Sequence, residues 1–152
     1  MKNFAICLLV SLVFSTPALS EECTSKLQGF VAKTGYNIIE AKSCKVWLAT
    51  DALSIPKGEG VVRVLLIGNE DDIVVVGTVL QSKAELNLSS DLLLKLMQLN
   101  NELDYLKVGI DRDGDLFIRA EMHMSSLTAE TFNDTVKNVV RSSKKIYDTL
   151  KK

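Results

Sequence analysis

The clearest hydrophobic pattern lies between residues 105 and 150. In residues 105–111, Leu106, Val108 and Ile110 alternate with small or polar neighbours. Leu116, Ile118, Ala120 and Met122 do the same in residues 115–122. Period two sends successive side chains to opposite faces of a sheet, so both runs are predicted strands. Between them, Arg112-Asp113-Gly114 is short and polar, and its Gly can take a positive φ, which predicts a hairpin. From Thr128 onward the period changes to that of a helix. Phe132, Val136, Val139, Val140, Tyr147 and Leu150 form one stripe, with Lys137, Arg141, Lys144, Lys145 and Lys151 largely elsewhere. Thr128 is the expected N-cap, and Leu127 with Phe132 fits a hydrophobic staple across it.

Earlier segments carry weaker patterns. Residues 24–34 place Leu27, Phe30 and Val31 at helical spacing, with Gly35 positioned as a left-handed cap. Residues 36–43 read as a connector containing Ile38 and Ile39, and residues 44–50 as a strand with the only tryptophan, Trp47. Pro56, Gly58 and Gly60 mark residues 51–60 as a loop. Residues 61–67 and 73–80 are rich in β-branched side chains and flank the acidic turn 68–72, which predicts a second hairpin. Neither strand alternates cleanly, so cover on both faces is expected. Ser89 or Ser90 caps a helix running to about Leu103, whose leucines spread beyond one stripe. Such a helix is either central or part of an interface. The expected fold is α+β, in the order α-β-β-β-α-β-β-α: an antiparallel five-stranded sheet with three helices.

The N-terminus changes the picture of where this chain works. Met1-Lys2-Asn3 gives a positive start, Phe4 to Phe14 is apolar apart from Ser11, and Ala18 and Ser20 occupy the small-residue positions of a cleavage site. Residues 1–20 are therefore expected to be a signal peptide and residues 21–152 a single domain, exported to the periplasm or secreted. No later apolar run has membrane-spanning length, so stable insertion after cleavage is not expected. Cleavage removes Lys2 from 18 basic residues against 19 acidic, moving the formal charge from -1 to about -2. That balance argues against nucleic acid as a partner. Export also leaves two cysteines, Cys23 and Cys44, whose simplest state in an oxidising compartment is a disulfide. Such a bridge contributes roughly 3 kcal/mol in the chain-entropy model.

Reactive chemistry finds little support. Asp111, Asp113 and Asp115 could converge on a hard cation, but Met122 stands where a calcium loop needs its twelfth-position Glu. A charged hairpin tip is the preferred reading, with cation binding left open. His123 is the only histidine, which excludes an ordinary N/S metal site, and Ser125 and Ser126 nearby have no implied oxyanion donors. Gly58 and Gly60 lack the Lys-Ser/Thr sequel of a phosphate loop. The expectation is a non-enzymatic protein without a cofactor or metal.

The segment LNNELDYLKVGIDRDGDLFIRAEMHMSSLTAETFNDTV, residues 99–136, resembles the YbjN family, whose fold is similar to that of class I type III secretion chaperones. The resemblance rests on an Asn near a helix end (Asn100 or Asn101), a strand entering the Asp113-Gly114 hairpin, and the Leu127-Thr128, Glu130, Phe132 helix start. It implies a chaperone-like or regulatory protein that binds a protein or peptide segment, or a second copy of itself, through apolar sheet or helix surface. Candidate contacts are Trp47, Leu93, Leu94 and Met97. The alternative is a small-ligand or cation-binding envelope protein, and a hydrolase centred on His123 is least favoured.

Overall fold

The computed structural model describes residues 18–55, 58–68 and 72–150, and the side chains of 18–20 and 51–67 lie outside the described set. The elements are α1 (Ala18–Val31), β1 (Asn37–Lys42), β2 (Lys45–Ile55), β3 (Gly58–Gly68), β4 (Ile73–Gln81), α2 (Ser90–Glu102), β5 (Lys107–Ile110), β6 (Leu116–His123) and α3 (Ala129–Leu150). All strands join one antiparallel sheet in the order β1-β2-β3-β4-β6-β5. The α+β class and the helix order are those expected from the pattern.

Two local expectations are corrected. The connector at residues 36–43 contains β1, so the sheet has six strands rather than five. This strand lacks a period-two signal because it is an edge: all of it is exposed except the half-buried Ala41, and its pairing register shifts between Ile38 and Glu40. The loop at 51–60 is also mostly strand. β2 runs on to Ile55, and β3 begins at Gly58, paired with Ile55. Pro56 and Lys57 lie outside the described residues. The acidic turn likewise falls largely outside them at positions 69–71, as does most of the leader, residues 1–17.

The helices dock on one face of the sheet. α3 lies against β2, β3, β4 and β6, α1 against β1, β2 and β3, and α2 against β5 with a small contact to α3. Alternation along each described strand follows from this. Val46, Leu48, Val74, Val76, Leu80, Val108, Leu116, Ile118 and Ala120 point inward and are buried. They meet Phe132, Val136, Val139 and Ile146 of α3, together with Leu27 and Val31 of α1. Ser143 is buried in the same stripe and satisfies its hydroxyl by donating to the Val139 carbonyl at 2.7 Å.

The start of α3 is held from several directions. The Thr131 N–H donates to Thr128 Oγ1 at 3.1 Å, and the Thr128 N–H donates to Thr131 Oγ1 at 3.0 Å, a reciprocal cap. One turn on, the Phe132 ring takes Phe30 and Tyr36 edge-on at 5.3 and 5.9 Å. The aromatic contact therefore joins α1, the chain entering β1 and α3. At the other side, Gly114 sits at φ 90° in the β5–β6 hairpin, as its position in the loop demanded.

The outer edge of β5 is closed by a side chain. Asn100 of α2 donates from Nδ2 to the Val108 carbonyl at 2.6 Å and accepts the Val108 N–H on Oδ1 at 2.8 Å. The amide thus imitates one residue of a neighbouring strand, which identifies Asn100 rather than Asn101 as the structural asparagine. Asn100→Ala should lower unfolding free energy by about 1–2 kcal/mol in chemical denaturation. Asn101→Ala should stay within about 0.5 kcal/mol of the parent.

Candidate functional site

The outward face of α2 is the most apolar exposed helix surface among the described residues. The helix is set by its N-cap, where Ser89 accepts the Leu92 N–H at 3.1 Å, and by burial of Leu96 and Leu99 against the core. Leu92 and Leu103 are half-buried on the same side. This leaves Leu93, Leu94 and Met97 outward, at 41%, 57% and 69% exposure. Positions 93 and 97, and 94 and 97, are helical neighbours, so the three form one patch. Leu88 before the helix and Tyr105 after it are also exposed large hydrophobics. Glu102 anchors the C-terminal turn to Lys145 of α3.

Trp47 is not part of that patch. It lies on β2 between the inward Val46 and Leu48, and so points to the face without helices. It pairs with Glu40 of β1 and lines a recess with Glu40, Lys42, Ser43 and Lys45. Strands β2 and β5 are four spacings apart, about 19 Å across the sheet. Trp47 and the α2 residues therefore sit on opposite sides and toward opposite ends of the molecule.

The face without helices is partly covered by its own side chains. Arg119 of β6 lies over the Phe117 ring, 4.8 Å from its centroid. A Cβ at Gly77, opposite Arg119 on β4, would lie 2.6 Å from the Ile118 carbonyl oxygen and 2.8 Å from Arg119 Cβ. A Cβ at Gly109 would lie 3.3 Å from Phe117 Cζ. Glycine at these two places lets Phe117 and Arg119 lie close against the strands. Glu121 then joins two cations of this face, Arg119 at 2.9 Å and Lys107 at 3.0 Å. Val79 remains 43% exposed beside them.

The hairpin-tip carboxylates already serve the backbone. Asp111 Oδ1 accepts the N–H groups of Asp113 and Asp115 at 3.0 and 2.9 Å, and Asp115 Oδ1 accepts the Lys83 N–H at 2.7 Å. Among the described residues, no group of three or more His, Cys, Asp or Glu side chains could hold a metal ion. His123 ends β6 and is exposed; Ser126 donates to its backbone carbonyl at 2.9 Å. Cys23 and Cys44 form a disulfide with Cα atoms 5.1 Å apart. No helix of the described residues is long and apolar enough to cross a membrane.

A family model, YbjN, described as "Putative bacterial sensory transduction regulator", matches residues 50–152. The chain belongs to the YbjN family. No curated protein shows significant sequence similarity to it. Solved structures share the fold. The ExsC–ExsE complex aligns over 85% of this YbjN chain and 96% of that chain, with 17% identity and a TM-score of 0.53. The Yersinia pestis type III secretion chaperone SycH, solved with a stable fragment of YscM2, aligns over 82% and 98%, with 16% identity and a TM-score of 0.53. The HopA1–SchA chaperone–effector complex aligns over 86% and 91%, with 9% identity and a TM-score of 0.52. The fold of this YbjN protein is therefore that of type III secretion chaperones.

One titration follows from the side-chain ladder on the helix-free face. The hydrogen bond from Lys107, the charges of Lys107 and Arg119, and the Arg119 hydrogen bond outweigh partial desolvation and hold the Glu121 carboxyl below its ordinary 4.5. A depressed carboxylate stabilises the fold above its unfolded value and loses that contribution as pH falls through the folded value. In an NMR titration, Glu121 should have its midpoint below 4.5. Lys107→Ala should move that midpoint up toward the ordinary value.

Proposed function

We infer that this chain is an exported, non-enzymatic protein-binding module whose contact surface is the outer face of α2. The observation that carries this reading is the patch of Leu93, Leu94 and Met97, exposed on a helix whose other side packs Leu96 and Leu99 into the core. A fold shared with proteins solved in complexes with protein partners supports binding by shape. The occupant is a second copy of the chain or the apolar segment of a partner protein, docked without a chemical step. Trp47 belongs to a separate surface and is not a contact of this one.

Export rests on the leader pattern, with cleavage after Ser20, and the Cys23–Cys44 bridge suits an oxidising compartment. Since α1 begins at Ala18, this cleavage trims three residues from its start. Glu21 and Glu22 then stand in the first turn, where carboxylates complement the helix dipole.

Light scattering coupled to size exclusion tests the reading on the exported, oxidised protein at micromolar concentration. The wild type should run as a dimer, and Leu94→Glu with Met97→Glu should return it to a monomer with an unchanged far-UV spectrum. A buried charge in the interface should weaken self-association on the order of 100-fold. If the wild type is monomeric and the substitutions also leave its association with other envelope proteins unchanged, α2 is not the contact surface.

A further inference from the structure

We propose that the Cys23–Cys44 disulfide is a redox-gated clasp on the β1–β2 edge, holding closed a surface that carries Trp47. Three elements meet at this bridge. Cys23 comes from α1, Cys44 from the turn between β1 and β2, and Gly68 from the end of β3. Thr24 Oγ1 accepts the Cys44 N–H at 2.8 Å, and the Gly68 N–H donates to the Cys44 carbonyl at 2.9 Å. The seat is tight: a Cβ at Gly68 would lie 2.7 Å from Cys23 Sγ.

The turn itself resists the conformation it is held in. Ser43 and Cys44 have φ of 51° and 60°, the left-handed region, where neither residue has the freedom of glycine. The strand leading into it has little burial of its own. Of β1, only Ala41 packs against the core, and the aromatic anchor at Tyr36 lies at the far end of the strand. By contrast, α1 keeps Leu27 and Val31 fully buried, and β2 keeps Val46 and Leu48. Opening the bridge therefore frees the turn and the end of β1 next to it, while α1 and β2 stay on the core. That end pairs with β2 and flanks Trp47, which shares a surface recess with Glu40, Lys42 and Ser43. The gated surface is the outer edge of β2 with Trp47 beside it.

The electron source is a dithiol reductant. Its thiolate attacks one sulfur of the bridge, forming a mixed disulfide and releasing the other sulfur as a thiolate that takes a proton. The reductant's second thiol then closes its own disulfide and frees the remaining cysteine. Two electrons and two protons pass to Cys23 and Cys44. Both cysteines are half-buried rather than enclosed.

Hydrogen exchange and tryptophan emission, measured on the exported protein with and without dithiothreitol, test this. Mass labelling of Cys23 and Cys44 reports the redox state. On reduction, amides at residues 40–45 should exchange at least ten-fold faster and Trp47 emission should shift to the red, while amides of β4, β6 and α3 keep their protection. The Cys23→Ser, Cys44→Ser double variant should reproduce the reduced pattern. Gly68→Ala, which crowds the sulfur, should raise the reduced fraction several-fold at a fixed dithiothreitol ratio. Unchanged exchange at residues 40–45, or loss of protection throughout the sheet at once, would overturn the proposal. The α2 substitutions leave this readout untouched, so the two readings fail independently.

Discussion

The docking of α3 across β2, β3, β4 and β6 sets the terms for everything else in this molecule. A single long helix with one apolar stripe supplies most of the inner layer, and the sheet must turn its hydrophobic side chains toward it. Phe132, Val136, Val139 and Ile146 are buried to within 1% of completely, as are Val46, Leu48, Val74, Val76, Leu116 and Ile118. A one-residue register slip in any of these strands would turn its core side chains to the other face. Register is therefore fixed by burial, and the reciprocal Thr128–Thr131 cap fixes where the helix begins to contribute it.

One-sided cover has two consequences, and the chain meets each with local devices. The face opposite the helices is an open sheet. On β4, β5 and β6 it is lined by Phe117, Arg119, Lys107 and Glu121 laid over Gly77 and Gly109. The sheet is also open at both ends, and an unpaired edge invites another strand. At β5 the amide of Asn100 pairs with the backbone of Val108. At β1 the edge is itself exposed, and a covalent bridge secures its turn.

How far these features were legible depended on how strongly burial imposed a period. β5, β6 and α3 were readable because each has one face in the core, and the Arg112-Asp113-Gly114 loop has a glycine at the φ its turn requires. β1 was not readable, because only Ala41 of its residues touches the core, and successive isoleucines at 38 and 39 break any alternation. Pro56, Gly58 and Gly60 misled in the opposite sense. Turn-forming residues predict that a turn exists but not how few residues it takes, and β3 starts at Gly58 itself. The disulfide followed from cysteine arithmetic and compartment alone. Grouping Trp47 with the α2 leucines required knowing which sheet face each occupies. A one-dimensional pattern gives alternation within a strand but not the order of strands.

That distinction bears on function. Leu93, Leu94 and Met97 are exposed because α2 is placed at the end of the sheet, where its main neighbours are β5 and a corner of α3. A helix with the same composition lying over the sheet centre would have had its second apolar side buried. The apolar excess of α2 is thus a consequence of position. Polar residues at 93, 94 and 97 would leave the buried side of α2 in place, since that side is carried by Leu96 and Leu99. Folding therefore does not account for these side chains. The contact proposed for the outer face of α2 would.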